Sequence, residues 1–206
     1  VQGGGMPMTT WFSWHPVLMT VAFPGLMTVG RWCYLADLPL DKTQRRSMHR
    51  AIMGLAASMV LLGYAAIFMA HLPQRAFFGF DFAQGEFKEW RRVLHAWLGY
   101  ACVGLVMAQA LIGALKMQAL TLSGIRIYRF HGDLGKLVML LGAANILVAV
   151  WFWAWGPGTK LSVCAAVAVS AALGAGWPRH PEAAAEEAAF GSARVAGAVH
   201  LPAPAE

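Results

Sequence analysis

Apolar residues dominate five stretches of the chain, at about Trp11–Tyr34, Ser47–His71, Trp90–Met117, Ile127–Trp155 and Leu161–Trp177. The first four are longer than the roughly 20 residues a helix needs to cross a hydrocarbon core of about 30 Å; the fifth, of about 17, sits at the lower limit. Between them lie a polar loop at 35–46, a longer aromatic loop at 72–89, and the turns Ser123-Gly124 and Gly156-Pro157-Gly158. Pro16 falls near the start of the first helix, where a missing N–H costs little, and Pro24 predicts a kink. Ser47 is a candidate N-cap for the second helix. The loop at 72–89, with Phe77, Phe78, Phe80, Phe82 and Phe87, is expected to lie along the membrane surface. The pattern predicts an all-α membrane protein of about five transmembrane helices. A glycine-rich tail occupies 1–10, the membrane domain 11–177, and an Ala/Pro/Glu-rich tail 178–206.

Composition strengthens this reading. Of 206 residues, 58% are hydrophobic and 13% charged, about half the charged share of a soluble domain. The mean hydropathy is +0.53. Nucleic-acid binding would need a basic face on a soluble fold, and none is visible. Cys33, Cys102 and Cys164 all lie in apolar runs, without a CxxC or CxxCH arrangement. They are expected to be small buried residues, which argues against a zinc site or covalently attached haem. The chain begins with Val1, as expected of a processed, trimmed or partial chain.

The chemistry is carried by histidine. His15, His49, His95 and His131 stand near the heads of the first four apolar runs, where a polar ring is costly without a partner. Consecutive helices alternate in direction. His15 and His95 therefore share one face of the membrane, side A, and His49 and His131 share the other, side B. If each ring sits about one turn inside its helix, the two layers are about 20 Å apart. Two imidazoles from facing helices make a bis-His axial set for haem iron, with no open position, suited to electron transfer. Zinc would want four clustered ligands. The reading is a four-helix core holding two non-covalent b-type haems. Gly99 and Gly135, each four residues past a histidine, share its helix face and would leave room for a flat macrocycle. Gly54 fits more loosely, and His15 has Met19 at that offset.

Other polar residues admit two readings. Lys42, Arg45, Arg46, Arg50, Arg126 and Arg129 make side B the more basic. The cluster follows either from positive-inside topology alone or from a dock for a small anionic reductant near His49 and His131. His71 closes the second helix on side A, either as a surface residue or as a substrate contact beside the outer pair. His180 and His200 carry no signal. Asp133 is either a helix-start acid or an orienting group beside His131. Asn145, deep in the fourth helix, is expected to hydrogen-bond between helices.

The residues that carry these features resemble those of the eukaryotic cytochrome b561 family, its small branch without DOMON domains. The resemblance rests on Phe12-Ser13-Trp14-His15-Pro16-Val17-Leu18-Met19, Arg46-Ser47-Met48-His49, Val93-Leu94-His95-Ala96-Trp97-Leu98-Gly99 and Ile127-Tyr128-Arg129-Phe130-His131, within about residues 11–155. It implies six helices with two b haems in the central four, and electron transfer from cytoplasmic ascorbate to monodehydroascorbate or ferric iron on the other side. By the same resemblance, Lys42, Arg45 and Arg46 match the stretch of the family's ascorbate contacts, and His71 matches an outer-side histidine. Five of the six helices are visible, the family's first being absent. Met27-Thr28-Val29-Gly30-Arg31-Trp32 matches the family's basic aliphatic motif poorly.

Two functions follow from different classes. One is a stand-alone transmembrane oxidoreductase, of ascorbate-dependent ferrireductase type, in an endomembrane or organellar membrane with side B facing cytoplasm, matrix or stroma. The other is an accessory or structural subunit of a larger respiratory or photosynthetic complex. The Ala/Gly-rich fifth run is compatible with helix contact in a homodimer or such a complex, and with packing inside its own bundle. A single-haem anchor of the succinate-dehydrogenase type would leave two histidines idle.

Overall fold

The structure, a computed structural model, describes residues 8–36 and 38–176. The expectations for most of the N-terminal tail, for the tail at 178–206, and for His180 and His200 fall outside the described residues. Among the described residues, six α-helical segments occur in the order α1 (Trp11–Thr20), α2 (Thr28–Leu35), α3 (Lys42–His71), α4 (Trp90–Ser123), α5 (His131–Phe152) and α6 (Pro157–Gly176). A π-helical stretch, Val21–Met27, joins α1 to α2 without a break and contains Pro24. The kink expected at that proline is therefore met by a widened turn, the usual answer when an i→i−4 bond is lost. α3, α4, α5 and α6 are each long and apolar enough to cross a membrane. The chain is thus an integral, multi-pass membrane protein with an all-helical bundle.

Several boundaries differ from the sequence reading. α5 stops at Phe152, not at Trp155, and α6 starts at Pro157, not at Leu161, because proline suits the first position of a helix and the expected turn is partly taken into it. α3 starts at Lys42, not at Ser47. Asp41 caps it, accepting from the amides of Thr43 (2.7 Å) and Gln44 (2.8 Å), while the Gln44 side chain returns a bond to the Asp41 amide (3.0 Å). This reciprocal capping box is strong enough to begin a helix inside a polar stretch. α4 runs past Met117 to Ser123 and stops at Gly124, whose φ of +66° favours glycine. α5 begins at His131 itself, not at Ile127, because Tyr128 turns the chain with a φ of +50°. His131 is therefore the first residue of its helix, whereas the other three histidines lie at least a turn inside theirs.

The helices form two antiparallel pairs. α1 and its continuation pack along α3, and α4 along α5, with α6 laid against α5 and α2. Seven residues past each histidine, two turns on and on the same face, stand Ala22, Ala56, Cys102 and Val138, all nearly inaccessible. Phe23, Met27, Val60, Val106 and Met139 join them in one apolar cluster. Phe23 lies across Gly142, where a Cβ would come within 2.2 Å of its ring. The core thus sits midway between the two histidine layers. Leu62, Leu111 and Leu161 point outward, as a lipid-facing surface requires. Trp11, Trp14, Trp90, Trp97 and Trp151 are exposed around the side A end, where amphipathic rings anchor at a membrane interface.

The aromatic loop is a small sheet, which its sequence did not announce. β1 (Ala76–Phe77), β2 (Phe80–Asp81) and β3 (Glu86–Phe87) pair antiparallel in that order. Two-residue strands are too short to show a period. Gly79, at φ +77°, lets the β1–β2 turn press on Val93 of α4, whose Cα would be 2.8 Å from any added Cβ. Asp81 is buried and ties the sheet together. It accepts from the amides of Ala83 (3.0 Å) and Gln84 (3.1 Å) and from the Lys88 ammonium (2.5 Å). The Lys88 bond, helped by the two amides, holds its carboxyl below the usual aspartate value against the opposing effect of burial.

Candidate functional site

The four histidines meet in two pairs, and each pair bridges the two helix pairs. The His15 ring of α1 faces His95 of α4 with ring centres 6.2 Å apart and planes at 83°. His49 of α3 faces His131 of α5 at 6.4 Å, again at 83°. This is the pairing that alternating helices impose. Among the described residues no group of three or more His, Cys, Asp or Glu side chains gathers around one point. The arrangement is two ligand pairs, not a ligand cluster.

The separation can be tested against a metal. An imidazole nitrogen about 2.0 Å from an ion on each side, with about 1.1 Å from each nitrogen to its ring centre, puts the centres about 6.2 Å apart. The pairs stand at 6.2 and 6.4 Å, at that distance and 0.2 Å beyond it. A metal-bound histidine also tends to donate its second N–H to a carbonyl or carboxylate. His15 Nδ1 lies 2.9 Å from the Gly63 carbonyl, His49 Nδ1 2.9 Å from that of Gly30, and His95 Nδ1 3.2 Å from that of Asn145. A carbonyl oxygen only accepts, so Nδ1 carries the proton in His15 and His49 and Nε2 keeps its lone pair. At His95 the Asn145 carboxamide nitrogen also lies 3.0 Å from Nδ1, so Asn145 holds that ring by both its main chain and its side chain. The residues present therefore fit a bis-His metal at both positions.

These orienting bonds run within the helix pairs, while the rings meet across them. Gly63 is fourteen residues past His49, and Asn145 fourteen past His131. Fourteen residues are close to four turns, about 21 Å, so the acceptor on each helix reaches the histidine layer at the opposite face. Gly30 is fifteen residues past His15, but the π-helical stretch between them absorbs the extra residue. The widened turn thus keeps the Gly30 carbonyl in reach of His49.

Two carboxamides work in the same way. The Asn145 side chain donates to the His95 carbonyl (3.0 Å) and accepts from the Gly99 amide (3.2 Å). The Gln109 side chain donates Nε2–H to the His131 carbonyl (2.6 Å). They occupy the space over the two glycines placed four residues past a histidine. A Cβ on Gly99 would stand 3.4 Å from the Asn145 carboxamide, and one on Gly135 2.9 Å from the amide nitrogen of Gln109. The expectation that these glycines clear room for a macrocycle is corrected: they admit carboxamides. Gly54 has nothing within 4 Å of an added Cβ. Gly113 brings the His131 ring close to α4, at 3.1 Å from such a Cβ.

The other expected site residues divide by side. At side A, His71 ends α3 with Nδ1 2.9 Å from the Ile67 carbonyl and its ring edge-on to Phe12. Phe12 stacks on Trp153 at 5.2 Å. The Arg92 guanidinium lies 5.6 Å over Phe152, whose ring meets His95 edge-on. At side B, Lys42, Arg46 and Arg50 lie on the first turns of α3, and Arg129 on the exposed approach to α5. Arg45 is committed elsewhere: its three nitrogens donate to the carbonyls of Leu40 (3.0 Å), Ala36 (3.1 Å) and Leu38 (2.7 Å), just ahead of α3. Lys116 is within electrostatic reach of both His49 and His131. Asp133 pairs with Lys136 at 3.2 Å, on an exposed surface.

Sequence reasoning placed Asn145 between helices and missed Gln109 and Lys116. The signal that finds Gln109 is its offset of fourteen residues from His95, the same as that of Asn145 from His131.

Comparison with known proteins gives a consistent result. The family model for eukaryotic cytochrome b561 matches residues 14–155. The protein described as transmembrane reductase CYB561D2 of Bos taurus is 29% identical over 159 residues, covering 72% of this chain and 66% of that protein. Its counterpart from Mus musculus is 27% identical over 162 residues, with the same coverage. The chain spans just under two thirds of the length of these curated relatives. No solved structure matches it.

Proposed function

Since the chain belongs to the eukaryotic cytochrome b561 family, we propose that it holds two non-covalent b-type haems and moves electrons across a membrane between them. His15 and His95 would hold the outer haem, and His49 and His131 the inner one. The donor is a small anion of ascorbate type on side B, and the acceptor on side A is monodehydroascorbate or ferric iron. Side B, the more basic, faces the cytoplasm, or the matrix or stroma of an organelle.

The observation that carries the reading is the matched spacing of the two histidine pairs, 6.2 and 6.4 Å between ring centres. A haem held between the two imidazoles would supply a one-electron ferric/ferrous couple. The chain supplies everything else. The carbonyls of Gly63 and Gly30 keep the proton on Nδ1 of His15 and His49 and leave Nε2 free for the gap, and Asn145 holds the His95 ring through its carbonyl and its carboxamide. The layer of Ala22, Ala56, Cys102 and Val138 keeps water from the space between the sites. Lys42, Arg46, Arg50 and Arg129 give side B a positive field that draws in an anion. Arg45 contributes to that field but spends its hydrogen bonds on the carbonyls just ahead of α3. His71 keeps Nε2 for an acceptor on side A. The reductase description of the two relatives supports the same direction of reading.

The test is a reduced-minus-oxidised spectrum of the purified protein with ascorbate, alongside a pyridine-haemochrome count. Two b haems per chain, largely reduced by ascorbate, are expected. Two haems that only dithionite reduces would reject the ascorbate-type donor. A folded preparation that takes up no haem would overturn the ligand assignment.

A further inference from the structure

Of the four paired histidines, His131 alone has an Nδ1 without a hydrogen-bond partner, and that atom is buried. The other buried side-chain polar atom without a partner, among the described residues, is Oε1 of Gln109. One is a donor when Nε2 is a ligand, and the other only accepts. They belong to residues already in contact, since Gln109 Nε2 sits 2.6 Å from the His131 carbonyl. A buried donor and a buried acceptor left open side by side satisfy each other at the least cost.

We infer that Gln109 is the positioning residue of His131: its Oε1 accepts the Nδ1–H of the ring while its Nε2 holds the carbonyl of the same residue. The spacing along the helices supports this independently. Gly63 and Asn145 provide their acceptors fourteen residues past a histidine, and Gly30 does so fifteen past one through the π-helical stretch. The one remaining position in that register, fourteen past His95, is Gln109. The surroundings are shaped for the contact. Gly135 leaves space for the carboxamide, as Gly113 does for the ring, since a Cβ on either would stand 2.9 or 3.1 Å from them.

The acceptor at His131 then differs in kind from the other three. They are main-chain carbonyls, fixed by the helices, whereas Gln109 offers a side chain that substitution can change. An acceptor on Nδ1–H raises the electron-donating power of Nε2 and so favours the ferric state of a bound haem. Gln109 therefore sets the potential of the His49/His131 site without affecting the other.

The inference rests on the proposal that the pairs hold haem, and the experiment separates the two. Full-length protein in detergent is titrated optically, and the component that His131→Ala abolishes is assigned to the His49/His131 site. In Gln109→Leu the ferrous-to-ferric ratio of that component is expected to rise about tenfold at fixed ambient potential, about 59 mV for one electron. The second component stays where it is. Gln109→Glu keeps an acceptor and holds the midpoint at or below the wild-type value. Gly135→Ala, whose methyl displaces the carboxamide, follows Gln109→Leu and provides a second route should that variant fold poorly. Haem loss to apomyoglobin from the same site is expected to quicken by about tenfold in both. Unmoved midpoints in Gln109→Leu and Gly135→Ala, or equal movement of both components, would overturn the positioning role. Wild-type protein without haem would instead overturn the reading beneath it.

Discussion

Gly142 is where the core has least room, and adding one methyl there gives a quantitative test of the packing. The added Cβ would stand 2.2 Å from Cδ1, 2.6 Å from Cε1 and 2.7 Å from Cγ of Phe23. Carbon atoms in good contact sit about 3.5–4.0 Å apart, so the ring must retreat by roughly 1.3 Å or more. Phe23 is 5% exposed and lies within the central cluster, so it has no open side to retreat to. Overpacking of this kind costs about 1–3 kcal/mol. The gain in helix propensity from glycine to alanine, about 1 kcal/mol at most, offsets part of it. Gly104→Ala is the matched control on α4, because nothing lies within 4 Å of its Cβ. Unfolding in mixed micelles by added SDS, followed by circular dichroism, should show Gly142→Ala less stable than wild type and Gly104→Ala equal or more stable. Phe23 belongs to the π-helical stretch that sets the height of Gly30, so the same variant should also loosen the bond that orients His49. Equal stability of the two alanine variants would refute the packing argument.

Single alanine substitution of any of the four paired histidines should lower the haem count from two to one per chain. Loss of the same spectral component from His15→Ala and His95→Ala, and of the other from His49→Ala and His131→Ala, would bear out the pairing. Asp41→Ala removes the acceptor for two amides at the head of α3 and should cost about 0.5–2 kcal/mol, seen as faster amide exchange over its first turn. The carboxyl of Asp81 is held below its ordinary value of 3.8. Its contribution is therefore present above that value and lost as pH falls through the lower, folded value. Protease resistance of the loop at 72–89 should hold from about pH 8 to about pH 5 and fall only on stronger acidification. Asp81→Asn should be cleaved faster across that whole range, and equal rates would rule out the Lys88 contact as the tie.

The helices and the histidine pairs were legible in the sequence for a simple reason. A polar ring in an apolar run has no bland neighbours to hide among, and helix alternation decides which rings share a face. What was hidden depends on contacts between helices. The π-helical stretch looks like any apolar segment with a proline, and its function emerges only from the bond of Gly30 to His49 on another helix. Asp41 lies within a polar loop that a hydrophobic pattern passes over, so the reciprocal bonds with Gln44 were missed. Gly99 and Gly135 stood out by their spacing, yet the groups that fill their space come from the opposite helix. Arg45 counted as one positive charge among several, although its guanidinium is used on the carbonyls just ahead of α3. Gln109 is a single polar residue in a long helix, and its place in the register became visible only once three other acceptors had been located.

The division of bonding has a consequence for how the protein is made. His15, His49 and His95 are each held by a group in their own antiparallel pair, as His131 is by Gln109 in the inference above, whereas the opposite ring comes from the other pair. The α1–α3 hairpin and the α4–α5 hairpin can each enter the bilayer in turn during synthesis, with imidazoles already pointed before their counterparts arrive. The cofactors would then serve as the fasteners of two prefabricated halves rather than as the seeds around which four loose helices gather. A chain divided within the 72–89 loop should still assemble from its two parts, and haem supply rather than chain continuity should govern how fast.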